Sequence, residues 1–138
     1  MTVRLRPHHL LCVLTYVGKG YTPAFTANLT AIAARLAAGE EVEIVDGPDA
    51  VCAPLLDDPE AHCYRSNVVA RDQAAANEIG ARLTLAIRPG TRLVLDAALI
   101  RRLRRAFTAN RVRSACDGCA WHTLCGTVAT SGYAGTTL

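Results

Sequence analysis

Cys116, Cys119 and Cys125 fall within ten residues of one another in the segment SACDGCAWHTLCG, and no other feature constrains the chain as much. Two cysteines separated by two residues turn both sulfurs toward one centre when a tight turn links them, and Asp117 and Gly118 favour such a turn. The third sulfur follows the short apolar stretch AWHTL, which suits a cover over a site. Three thiolates leave a tetrahedral site one ligand short. The fourth must come from Cys63, Cys52, Cys12 or a histidine, all far earlier in the chain.

Six cysteines in 138 residues invite a disulfide reading, which the N-terminus argues against. MTVRLRPHHLLCVLTYVG has basic residues before an apolar run, but the run is short, begins with two histidines and ends in VGKGY, not at a small-residue cleavage site. The expected compartment is therefore the cytoplasm, where thiols stay reduced and serve metal or redox chemistry. Structural zinc uses two closely spaced ligand pairs, and this chain lacks a second C-x2-C or an H-x3-H. Iron–sulfur clusters accept a run of cysteines plus a distant one. The expectation is one 4Fe-4S cluster held by Cys116, Cys119, Cys125 and either Cys63 or Cys52, with zinc as the alternative. The loop spacing resembles the last three cluster ligands of helix-hairpin-helix DNA glycosylases, although Ala109 stands where their first ligand would be.

Half of the residues are apolar and few are aromatic, so a core of Ala, Leu, Val and Ile on small helices is expected. The fold class is α+β, helix-dominated, with about four helices and a minor short-stranded sheet. A strand is read at VRLR (3–6), and a helix from Pro7 to about Val17. A second helix is capped by Thr22 and ended by Gly39, with Phe25, Leu29, Ile32, Ala33 and Leu36 on one face. Val42–Val45 reads as a strand before the turn DGPD, residues 53–66 as a loop, and 68–79 as a helix closed by Gly80. Asp96 caps a last helix to about Asn110, with Leu99, Ile100, Leu103 and Phe107 inward and Arg101, Arg104, Arg105 and Arg111 outward. Residues 1–127 make one metal-binding domain, and 128–138 a flexible tail.

Other motifs carry weaker signals. His8 and His9 precede Cys12 by four and three residues, a spacing that gathers imidazole and thiol on one helical face. That face is a candidate catalytic pair, a second metal site, or core packing. GKGY lacks the strand-to-helix context of a phosphate loop. The net charge of +3 is too mild to imply nucleic-acid binding unless the charges cluster, and no apolar stretch approaches the length needed to cross a bilayer. The arginine-rich helix reads as a solvated face, with a dock for an acidic or redox partner protein or nucleic acid as the alternative.

RPHHLLC, GKGY with Phe25 and Asn28, EIVDGPDAVC and CDGCAW together resemble the prokaryotic family catalogued as domain of unknown function 1284, from about residue 3 to 125. Its members are described as iron–sulfur-binding, so the resemblance implies a cluster and adds no reaction. In the family the segment at Cys52 continues as a C-x2-C pair. Here Leu55 stands at the second position, which favours Cys63 as the fourth ligand.

Overall fold

The computed structural model describes residues 2–18, 22–46, 49–51, 66–116 and 121–138. Three short strands form one sheet in the order β1 (Thr2–Leu5), β2 (Glu41–Ile44), β3 (Arg92–Val94). β1 and β2 run parallel with Val3 opposite Val42 and Leu5 opposite Ile44, and β3 returns antiparallel with Leu93 opposite Val42. Those residues alternate with polar ones and share the buried face. Parallel neighbours need a crossover, and the helices α1 (His9–Thr15) and α2 (Pro23–Ala37) supply it. The strand expected on the N-terminal side of DGPD is β2. β3 is not foreseen from sequence, because three residues with one buried side chain give almost no periodic signal.

α2 follows its sequence signals closely: the Thr22 hydroxyl accepts from the Phe25 N–H at 3.0 Å, Pro23 takes the first turn, and Gly39 leaves the helix at φ +94°. α1 is shorter than expected. It starts at His9 because Arg6–Leu11 makes tight i→i+3 bonds first, and Asp72 from another element accepts the His8 N–H. α3 (Ser66–Leu83) runs through Gly80 where a stop was expected. A Cβ on Gly80 would lie 2.8 Å from the Leu85 carbonyl oxygen, so this glycine permits the chain to fold back against its own helix.

α4 (Ala97–Thr108) is capped by Asp96, whose side chain accepts from the Leu99 N–H at 2.8 Å, and buries Ile100, Leu103, Ala106 and Phe107. A 3₁₀ turn at Ser114–Cys116 leads toward α5 (His122–Thr130), which packs on α4 and α1. α5 occupies sequence expected to be loop and tail, because Val128 and Ala129 are buried and a helix satisfies their backbone groups. Arg104 also departs from expectation. Its guanidinium donates to the carbonyls of Leu14 and Leu138 and to Thr136 Oγ1, and lies over the Tyr133 ring, while Arg101, Arg105 and Arg111 are exposed. Leu10, Leu14, Leu36, Ile79, Leu103 and Phe107 meet at the centre of a single core. Among the described residues no helix is long and apolar enough to cross a membrane.

Candidate functional site

The parallel strands β1 and β2 end side by side, and the residues that follow them build the site. Val45 N–H bonds to the Leu5 carbonyl and Ala50 N–H to the Arg4 carbonyl, so the described residues after β2 lie against the end of β1. Asp49 reaches from there with its side chain fully buried. Its Oδ2 accepts the Arg6 N–H at 2.7 Å and contacts His9 Nδ1 at 2.7 Å, and its Oδ1 accepts the Val51 N–H at 3.0 Å.

Asp72 on α3 closes the other side. Its Oδ2 accepts from Arg6 Nε at 2.7 Å, and its Oδ1 accepts from the His8 N–H at 3.2 Å and contacts His8 Nδ1 at 2.6 Å. Arg6 has 0% exposure, and a charge removed from water needs such a partner. The two imidazoles, 14% and 12% exposed, lie with ring centroids 4.3 Å apart.

Burial, reinforced by the neighbouring His9 and Arg6, pushes the His8 pKa down to about 4 against the pull of Asp72. Burial alone would push the Asp72 carboxyl up, but hydrogen bonds and charge from His8 and Arg6 hold it below its ordinary value. With the imidazole neutral at its lowered pKa and the carboxyl ionised, His8 Nδ1–H donates to Asp72, which leaves the Nε2 lone pair on the other side of the ring.

Below the histidines, α1 is buried at every residue except His9 and Cys12. Thr15, one turn beyond Cys12, donates its hydroxyl to Cys125 Sγ at 3.1 Å. This bond joins the C-terminal cysteines to the helix that carries the RPHHLLC motif. Cys116 ends the 3₁₀ turn, which packs on α3 with Ser114 held by Glu78 through N–H and Oγ at 3.1 and 2.7 Å. Cys12, Cys116 and Cys125 are all half-buried.

Of the residues expected from sequence, His8, His9 and Cys12 share one short segment, and Cys125 meets the Cys12 face of α1 through Thr15. Cys119, Cys63 and Cys52 lie outside the described residues. Arg6, Asp49, Asp72 and Thr15 escape a reading of the sequence alone. Asp72 carries a signal: it stands three and seven residues before the buried Ala75 and Ile79, so a carboxylate interrupts the apolar face of its helix.

Residues 20–125 match the family model described as protein of unknown function DUF1284. The chain belongs to this family. The matched segment holds Asp49, Asp72 and five of the six cysteines, while His8, His9, Cys12 and Thr15 precede it. No curated protein and no solved structure matches the chain.

Does the cluster expected from the cysteine spacing suit these residues? Among the described residues no three His, Cys, Asp or Glu side chains are grouped to hold a metal ion. The described sulfurs suit a soft metal in kind: Cys116 and Cys125 are half-buried at either side of the segment carrying Cys119, and Cys125 accepts an O–H bond.

Proposed function

We propose that this protein carries one 4Fe-4S cluster and serves in electron transfer or redox sensing. In this reading Cys116, Cys119 and Cys125 hold three corners, with Cys63, Cys52 or Cys12 at the fourth. Such a cluster, when bound, takes up and releases single electrons. The observation that carries the reading is the Thr15 hydroxyl donating to Cys125 Sγ at 3.1 Å. A hydrogen bond to a ligand sulfur stabilises its negative charge and is one of the levers that set a cluster's potential. It also anchors a cysteine of the C-x2-C-x5-C run on a rigid helix. Cys12 joins Cys63 and Cys52 as a fourth-ligand candidate because it lies one turn from Thr15 on the same helix.

The reducing cytoplasm suits such a site. The exposed Arg101, Arg105 and Arg111 supply a basic face for an acidic redox partner. Anaerobic purification after growth with ample iron, followed by iron, zinc and acid-labile sulfide analysis, tests the reading. Brown protein with iron and sulfide in comparable amounts is expected, and Thr15→Val should shift the reduction potential downward while leaving the iron content unchanged. Colourless protein carrying one zinc would overturn it.

A further inference from the structure

The geometry points to a second metal site at His8 and His9, distinct from the C-terminal cysteines, that takes a divalent transition-metal ion on the two Nε2 atoms. Three observations converge on it. Each Nδ1 is held by its own carboxylate, Asp72 for His8 and Asp49 for His9, at 2.6 and 2.7 Å. That arrangement fixes the tautomer and makes Nε2 the acceptor, as in the carboxylate–histidine pairs that support metal ligands. No described residue hydrogen-bonds either Nε2. The rings belong to consecutive residues with centroids 4.3 Å apart, which keeps their two Nε2 atoms near one another.

Charge and exposure agree with a cation. Among the described residues, the buried Arg6 sets one positive charge against the Asp49 and Asp72 carboxylates. The histidines and Cys12 are the only breaks in the burial of the segment from Leu5 to Tyr16, so an ion can reach them. Imidazole donors select Zn²⁺, Fe²⁺, Co²⁺ or Ni²⁺ over Mg²⁺ and Ca²⁺, which require oxygen ligands. No third described side chain is grouped with the pair. The remaining positions fall to water or a small ligand, the open coordination of catalytic sites. Structural histidines that merely brace Asp49 and Asp72 would need Nδ1 alone.

That difference makes the test. Asn places its side-chain nitrogen close to where histidine has Nδ1 and has nothing at Nε2. His8→Asn and His9→Asn therefore retain the donors to Asp72 and Asp49 while removing the proposed ligands. The full-length chain, kept anaerobic, is titrated with Co²⁺ while the visible spectrum and the histidine ring resonances are followed.

The expected result is one Co²⁺ with ligand-field bands but no thiolate charge-transfer band for this ion, and selective broadening of the His8 and His9 signals. Each Asn variant, with an unchanged melting temperature, should weaken this binding at least tenfold, while Cys116→Ser leaves it intact. Equal Co²⁺ affinity in wild type and both variants, or cobalt found only on sulfur, overturns the site. A variant that melts early is replaced by direct observation of the wild-type ring Nε2 resonances, and a lack of response to Co²⁺ there overturns the site equally. Sulfide content plays no part in these readouts, so the site stands or falls separately from the 4Fe-4S reading.

Discussion

Replacing Asp49 by Ala should cost far more than a surface carboxylate change. The Asp49 side chain is fully buried, and its two oxygens take the Arg6 N–H, the Val51 N–H and His9 Nδ1 at 2.7, 3.0 and 2.7 Å. Alanine leaves two backbone donors and an imidazole without an acceptor, and each buried unsatisfied group costs about 1–3 kcal/mol. Some water will enter the space, so a total loss of about 3–5 kcal/mol is expected, a large fraction of the roughly 5–15 kcal/mol that holds a domain together. Asp49→Asn should recover only part of this, because its amide nitrogen faces donors. Equilibrium urea unfolding of both variants measures the effect, with Asp46→Ala, an exposed neighbour, as the control. A loss below about 1 kcal/mol for Asp49→Ala would refute the reasoning, since it would mean that the carboxylate does not organise its own segment and the start of α1.

Acid should weaken the metal-free protein through His8. Its folded pKa of about 4 lies below the ordinary 6.5, so the unfolded chain binds more protons in that window; stability is full above the upper value and declines toward the lower, by about 3 kcal/mol. Asp72, held below its ordinary 3.8, adds a loss at still lower pH. Urea unfolding in chelator across this range checks the slope, which should flatten in His8→Asn; an identical slope in that variant would assign the effect elsewhere. Arg104→Ala should free the C-terminal segment, because it removes the donors to Leu14, Thr136 and Leu138, and amide exchange at residues 133–138 should rise. Arg101→Glu with Arg105→Glu should leave the melting temperature nearly unchanged, and only binding of an acidic partner should suffer.

Local chemistry made much of this protein legible in its residues. Thr22–Pro23, Gly39 and Asp96 punctuate helices through backbone bonds made within four residues, so α2 and α4 follow from short stretches of chain. The alternation in Val3–Leu5 and Val42–Ile44 likewise marks two strands, and the cysteine spacing marks a cysteine-rich segment. RPHHLLC stands out as a cluster of reactive residue types, with no indication of what each side chain meets. Tertiary structure decided that. Asp49 and Asp72 lie 40 and 64 residues from their histidines, and Thr15 lies 110 residues from Cys125, separations at which no periodicity or turn rule operates. The same holds for Gly80, a stop signal by local rule that became a point of close approach because Leu85 folds over it. Sequence determines what the nearby backbone can do. Which distant carboxylate a buried imidazole finds is settled only when the sheet and three helices pack, because the cost of burying Arg6 and the histidines is offset only in that one arrangement.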